Sequence, residues 1–431
     1  MSLAIDHSYE YNQNIYQNMD FQNVINDGNR FKIFNPNIIE NGVLSGFRGN
    51  WGSARPIPEN RVGVVQELQR LSYYGTLSHL RRIHLPLPSS AKIVAPRRLH
   101  GSQWGVICPV ETPDGGNVGK IKTMSISCHI TSGSNPRHAI QALTFLGILS
   151  TTRQNHHRYT RVLVNGRYIG VTDNPESLVD RFRLYRRSGW IDTFTSISWK
   201  ISDRMISVLT DSGRLMRPLL WGFTDPDTNS FNLSYSRNSR GASLLESKNA
   251  WQKMLTGDAP RLPKEALESS SRWESPFGYF NYTSKTKPQT PEDLEKWLQS
   301  HTGVIEYLDV EEENTTMITF TMPQSEPSHT SAPTPRYTHM EIHPSLVLGV
   351  QALIIPFMEH NQFPRNLFSS GQTKQSIGVY TLNFRHRFDL AGSVLCYPQR
   401  PLVSSKYVDL INKNTAPYGI NAIVAVACYS G

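Results

Sequence analysis

Hydrophobic and polar positions alternate unevenly along this chain, and the pattern divides it into blocks. The first 45 residues are rich in Asn, Gln and Tyr with little periodicity. They predict a poorly ordered lead-in over 1–48, with one short helix near Ile38–Leu44. After a turn at Gly49-Asn-Trp-Gly52, Val64, Leu68 and Leu71 fall at i, i+4 and i+7. That spacing predicts a helix with one apolar face running to Leu80, with Gln66 and Arg70 off that face. Arg81 and Arg82 then sit at its C-terminal end, where cations suit the helix dipole.

Further on, Arg161–Val171 reads as a hairpin turning at Asn165-Gly166. Asn174-Pro175 opens a helix that places Leu178, Phe182 and Tyr185 on its apolar face and stops at Gly189. Arg181, Arg183, Arg186 and Arg187 decorate that helix and read as a solvated face. Thr290-Pro-Glu-Asp293 starts another helix, packing Leu294, Trp297 and Leu298. Gly303–Thr321 reads as strand, acidic bend, strand, and Leu346–Ile355 as an apolar helix. The apolar run Ala422–Ala427 predicts a buried strand. Pro, Ser, Thr and Gly cluster at Leu85–Ala91, Cys108–Gly119 and Gln324–Pro335, marking loops, with a tight turn at Pro113-Asp114-Gly115. Together these elements predict an α+β, multidomain chain of mixed small α/β modules.

Composition narrows the function. The 431 residues allow several domains, and no apolar run reaches membrane-spanning length. Cys108, Cys128, Cys396 and Cys428 are far apart and form no C-x-x-C pair, so neither a zinc ribbon nor a disulfide framework is indicated. The formal charge is +9, and it is concentrated. Residues 61–100 hold seven Lys/Arg against Glu67, and residues 361–405 hold five against Asp389. Clustered cations point to a polyanionic partner, with a merely solvated basic surface as the alternative.

Candidate chemistry concentrates in His360–Gly378. Pro364 stiffens the chain before Arg365, whose planar guanidinium can grip a phosphate with two parallel donors. Lys374 adds a point charge, and Asn361, Gln362, Asn366, Gln372 and Gln375 can read sugar or base edges. A polar loop capping a core helix is the plainer reading. Two acidic groups invite a metal reading, and with it a metal-dependent nuclease. Glu311, Glu312 and Glu313 are consecutive and would point to opposite faces of a strand, which favours a solvated acidic turn. His339, Glu341 and His343 alternate and would share a strand face, where a structural hydrogen-bond cluster is the commoner outcome. Nothing matches a P-loop, a dinucleotide fingerprint or a hydrolase elbow.

Several motifs recur in a recognisable order. They are Gly49-Asn-Trp-Gly52, Thr76-Leu-Ser-His-Leu-Arg-Arg82, Pro96-Arg-Arg-Leu-His100, Trp104-Gly105 and Glu111-Thr-Pro-Asp-Gly115. They continue with Gly303-Val-Ile-Glu-Tyr307, Glu341-Ile-His-Pro344, Asn361 through Gly378, Tyr397-Pro-Gln-Arg-Pro401 and Asn421 through Ala427. In this order they resemble the middle of the second-largest (beta-like) subunit of multisubunit DNA-directed RNA polymerases, of eukaryotic, archaeal or large-DNA-virus type. The wording Pro88-Ser-Ser-Ala-Lys92 and Pro113-Asp-Gly-Gly116 is most similar to large DNA viruses.

The resemblance implies a fork-like domain over 49–133, external modules over 134–222 and 223–337, and the start of the hybrid-binding domain over 338–431. It implies that Arg365 contacts the triphosphate of the incoming nucleotide. Gln66, Arg97, Asp114, Lys374 and Gln375 would lie near the active centre, and Arg81, Arg82, Lys92, Arg98 and Phe368 would contact nucleic acid. Phe368 stands where the family commonly has tyrosine, and Gln372-Thr373 where Met-Gly is usual.

The implied partners are the largest polymerase subunit, the remaining pieces of the second-largest subunit, the DNA template, the RNA–DNA hybrid and ribonucleoside triphosphates, with no membrane. Mg2+ would be held mainly by another subunit. The family continues past Gly431 with an acidic pair that helps hold the second metal. The expectation is therefore a piece of a subunit, inactive alone, from a split gene or a truncated product. The implied location is intracellular: the nucleus, or the cytoplasm or virion for a viral source. The competing class is a non-catalytic basic nucleic-acid-binding module, whose binding would be salt-dependent.

Overall fold

The computed structural model describes residues 36–47, 66–149, 159–224, 231–233, 250–257, 295–320 and 337–429, apart from a few positions inside those spans. The rest of the expected lead-in, the Gly49–Gly52 turn, the Thr290–Asp293 helix start and the Gln324–Pro335 loop lie outside the described residues. The described part is α+β and modular, as the periodicity and the resemblance imply. No helix in it is long and apolar enough to cross a membrane.

Helix α1 (Pro36–Phe47) covers the short helix expected near Ile38. Helix α2 spans only Tyr73–Leu80, which corrects the longer helix expected from Val64. The Ser72 side chain accepts from the Gly75 N–H and sets the start, because a capping serine takes extended backbone. Gln66 through Leu71 therefore precede the helix, and Leu71 is exposed. Strands β1 (Arg82–His84) and β2 (Ile121–Thr123) form an antiparallel ribbon that carries the intervening 85–120 segment as its loop.

Strand β3 (His129–Ile130) and helix α3 (Pro136–Phe145) lead into the first complete module. There β4 (Thr160–Val164) and β5 (Arg167–Thr172) form the expected hairpin, with Asn165 and Gly166 both at positive φ. Helix α4 (Pro175–Arg187) has Asn174 as its cap and Gly189, at φ +72°, just past its end. Strands β6 (Ser196–Lys200) and β7 (Met205–Leu209) complete a sheet of order β5-β4-β7-β6, with β4 and β7 parallel. Phe182, Leu143, Ile197 and Ile206 lie fully buried between helices and sheet. Each such side chain contributes about 1.5–3 kcal/mol of burial.

A second sheet is built on the long strand β8 (Leu215–Thr224). It pairs antiparallel with β3, with β9 (Phe231–Leu233), with β10 (Ile305–Asp309) and with β12 (His339–Met340). Strand β11 (Ile318–Thr319) extends the sheet at its edge, parallel to β12, and helix α5 (Ala250–Thr256) and the helical turn α6 (Val310–Glu313) flank it. The sheet thus takes strands from both sides of the positions 133, 222 and 337.

Two expectations about charge are overturned here. Arg183, Arg186 and Arg187 are not a solvated face, and Glu311–Glu313 is not a solvated turn. Arg186 is 1% exposed and Glu312 is fully buried. Arg186 donates to Glu306, to both Glu312 oxygens at 2.8 Å, and to the Thr195 carbonyl. Arg187 reaches Glu306 at 2.8 Å and lies 4.0 Å from the Trp221 ring centre. Arg183 reaches Glu312, Arg181 reaches Glu295, and Lys200 pairs with Glu311. Arg217 on β8 holds Glu313 at 2.5 Å and Glu341 at 2.7 Å, and Arg214 holds Asp309. Buried ions persist only when paired in this way.

Past the second sheet come a 3-10 turn at Pro344–Val347 and helices α7 (Val350–Leu353), α8 (Phe363–Gln375) and α9 (Lys406–Asn412). The expected helix Leu346–Ile355 is broken at Leu348-Gly349. A Cβ at Gly349 would lie 2.9 Å from the Glu111 carboxylate, so the backbone here passes tightly over that group. Tyr74, Val350, Ile354 and Val408 form a small core joining α2, α7 and α9. The expected buried strand at Ala422–Ala427 is also corrected. Ile423, Val424 and Val426 are exposed, and the segment has no strand partner among the described residues. An apolar run alone does not bury itself; it needs a neighbouring strand.

Candidate nucleotide and nucleic-acid site

Helix α8 organises the candidate site. Pro364 stands in its first turn, where a missing N–H costs nothing. Arg365 follows and is exposed, with its guanidinium carbon 5.8 Å from the ring centre of Phe368 one turn on. No ion pair holds Arg365 among the described residues. The same turn is anchored by Asn366, which is buried, donates to the Met358 carbonyl at 3.0 Å and accepts from Asn361 at 3.2 Å.

The other end of α8 is clamped by the segment around α2. Ser72 Oγ donates to the Thr373 carbonyl at 2.9 Å, and Gln69 Nε2 to the Lys374 carbonyl at 3.0 Å. Gly75 makes the close approach possible, since a Cβ there would sit 2.8 Å from the Lys374 carbonyl oxygen. Lys374 Nζ lies 3.1 Å from the buried Glu111 carboxylate. Gln375 is exposed at the end of the helix. Most of the stretch, Phe363–Gln375, is therefore a helix and not a polar loop.

The fork-like segment deploys its cations in two ways. Arg81 turns inward and donates to the carbonyls of Ser125, Ile126 and Cys128. Arg97 spends its guanidinium on the carbonyls of Ile93, Gly116, Val118 and Ala91, at 2.8–3.2 Å. It thereby clips the 91–97 strip to the turn that carries Asp114. Gly119 passes so close to the Arg97 backbone that a Cβ would lie 2.4 Å from its carbonyl oxygen. Arg82 is half-buried in β1, whereas Lys92 and Arg98 are exposed. Asp114 is exposed and caps the 3-10 turn Gly115–Asn117 by accepting from the Gly115 N–H at 2.8 Å.

Gln66 is held by His79. The His79 Nδ1 accepts from the Gln69 N–H at 3.1 Å, which leaves the proton on Nε2, and Nε2 meets Gln66 Oε1 at 3.0 Å. Burial, with Arg82 nearby, pushes the His79 pKa down and favours this neutral ring. Of the side chains named from the sequence, the structure joins Lys374 to the fork segment directly and Arg365 to Phe368. The sequence reading missed Glu111, Ser72, Gly75 and His79. Glu111 had a visible signal, as an acid within the Glu111–Gly115 motif beside a strongly basic window.

The two candidate metal groups do not fit a metal. His339 Nε2 meets Glu306 at 2.9 Å, Glu341 is taken by Arg217, and the exposed His343 turns to Ser345. Burial, outweighing the adjacent Glu306, pushes the His339 pKa down, so its neutral ring donates to Glu306. Burial would push the Glu306 carboxyl up, but Arg186, Arg187 and His339 hold it well below the usual range. Glu311, Glu312 and Glu313 each serve a different cation. No group of three His, Cys, Asp or Glu among the described residues is placed to hold a metal.

Four family models match the chain in sequence order. They are RNA polymerase Rpb2 domain 3 at residues 66–130, domain 4 at 162–221, domain 5 at 296–344 and domain 6 at 351–431. The chain belongs to the Rpb2 family of second-largest RNA polymerase subunits. Among its Rpb2-type relatives, DNA-directed RNA polymerase II subunit 2 of Arabidopsis thaliana is 36% identical over 389 residues, 89% of this chain and 29% of that protein. Subunit RPB2 of Meyerozyma guilliermondii is 34% identical over 413 residues, 89% of this chain and 31% of the relative. The archaeal Rpo2 of Saccharolobus solfataricus is 32% identical over 397 residues, with 89% and 29% covered. The chain thus spans under a third of the length of these Rpb2 and Rpo2 relatives.

Proposed function

We propose that this Rpb2-family chain supplies fork loops and a triphosphate-contacting arginine to the active centre of a DNA-directed RNA polymerase, and is inactive alone. Its partners in this reading are the largest subunit, the remaining parts of the second-largest subunit, the DNA template and the RNA–DNA hybrid, in an intracellular enzyme. Ribonucleoside triphosphates are the substrates. The observation that carries the reading is Arg365: an exposed guanidinium without an ion pair among the described residues, on a helix clamped at its far end by the fork segment.

Phosphoryl transfer asks chiefly for charge neutralisation and positioning, and a fixed arginine fork serves both. Exposed Lys92 and Arg98 add nucleic-acid contacts. Mg2+ belongs to the reaction, but no donor set among the described residues fits it. In this proposal it is held mainly by another subunit.

The test is single-nucleotide addition by the polymerase assembled with the Arg365→Ala subunit. Loss of a charge-assisted contact worth about 1.5–3 kcal/mol raises the nucleotide KM roughly 10- to 100-fold. Full rate at low nucleotide concentration would refute the role.

A further inference from the structure

Glu111 sits 1% exposed inside the loop that also carries Asp114. Its backbone N–H donates to Cys108 Sγ at 3.3 Å. Its Oε1 accepts from Ser78 Oγ of α2 at 2.5 Å and lies 3.1 Å from Lys374 Nζ of α8. Gly349, just before α7, packs against its other oxygen. One carboxylate therefore touches the fork loop, α2, α8 and the entry to α7.

The Lys374 side chain is only 14% exposed, so each ion is desolvated and depends on the other. The pair meets α8 where Ser72 and Gln69 grip its backbone. Arg365 lies nine residues back along the same rod, about 13.5 Å at 1.5 Å per residue. A tilt of roughly 5° about the clamped end displaces Arg365 by about 1 Å, a shift large enough to matter for a reacting group.

We infer that Glu111 is a positioning residue. Its ion pair with Lys374 sets the direction of α8, and so the place of Arg365 on the triphosphate. The inference rests on the reading of Arg365 given above, and it assigns Lys374 to Glu111 instead of to the nucleotide.

The experiment uses polymerase assembled with the full-length subunit carrying Glu111→Gln, Lys374→Met, both, Arg365→Ala, or Arg365→Ala with Glu111→Gln. Nucleotide KM and kcat are read from single-nucleotide addition, and stability from thermal unfolding of the same preparations. Glu111→Gln and Lys374→Met each raise KM about 3- to 10-fold, with a smaller change in kcat. The double variant is no worse than either single one, because it leaves no unpaired buried charge. In the Arg365→Ala background, Glu111→Gln adds no further KM increase.

Additive effects of Glu111→Gln and Lys374→Met would overturn the inference. So would a lowered melting temperature with unchanged KM, or an equal KM penalty without Arg365. If Arg365→Ala raises KM while Glu111→Gln does not, the positioning role fails alone. If Arg365→Ala leaves KM unchanged, the proposed function fails and takes the inference with it.

Discussion

Arginine does opposite work in two regions of this molecule. Around α4 and β8, Arg183, Arg186, Arg187, Arg214 and Arg217 meet carboxylates, and the charges cancel inside the protein. Around the fork-like segment, Arg81 and Arg97 meet backbone carbonyls. A carbonyl satisfies a donor without cancelling its charge. The first region is electrically quiet. The second is tied down, yet keeps its positive field. A count of cations separates the two only when their acceptors are known.

The sharpest way to break this contrast is Arg186→Met. It leaves Glu306 to Arg187 and His339 and Glu312 to Arg183, one cation short in the interior, and removing one partner of a buried pair costs about 3–5 kcal/mol. Urea unfolding should show that loss. A change under about 1 kcal/mol would mean that the lattice is less dry than its burial indicates.

Arg97→Ala comes next. Losing its carbonyl bonds costs about 1.5–3 kcal/mol by the usual worth of charged hydrogen bonds, and Arg97→Lys does not rescue it, since an ammonium cannot fork to four carbonyls. Arg98→Ala changes stability by less than about 0.5 kcal/mol but lowers the salt slope of nucleic-acid binding by about 0.9. Equal stability losses for the two variants would erase the distinction between clamp and contact.

The buried ion pairs also carry a pH dependence, to which His79, likewise pushed down, adds. The folded His339 pKa lies below its ordinary 6.5, so the unfolded chain binds the proton more readily. Stability is therefore fully present above about 6.5 and is lost as pH falls below it, by at most about 1.4 kcal/mol per pH unit for one such group. Glu306, depressed in the folded state, adds a loss as pH falls below its ordinary 4.5. Chemical denaturation at pH 7.5, 6, 5 and about 4 checks this, and His339→Gln should flatten the upper part of the fall.

Local structure was legible where its causes are local. Asn165-Gly166 dictates the β4–β5 hairpin, and Asn174-Pro175 with Gly189 brackets α4. The lattice was not legible, because Arg186 and Glu312 are 126 residues apart. A clue was present nonetheless. Arg186 falls four residues after Phe182 and eight after Leu178, on the helix's own apolar stripe, and a charge placed there needs a partner. The start of α2 was misjudged because the spacing of Val64, Leu68 and Leu71 outweighed the start signal written in Ser72. At the candidate site, the side chains that face outward, Arg365, Arg98 and Lys92, came from the motif order. The roles of Glu111 and His79 as anchors emerge when α8, α2 and the segments beside them are seen packed together.

Strand β8 has a consequence for the order of events at the ribosome. Its partners β10 and β12 leave the exit tunnel roughly 80 to 115 residues after it does. At the usual pace of translation, about 5–20 residues per second, the nascent chain holds Leu219 and Leu220 uncovered and Arg217 without its acids for several seconds or more. The sheet is assembled from pieces made far apart in time, and a chaperone has its opening in that interval.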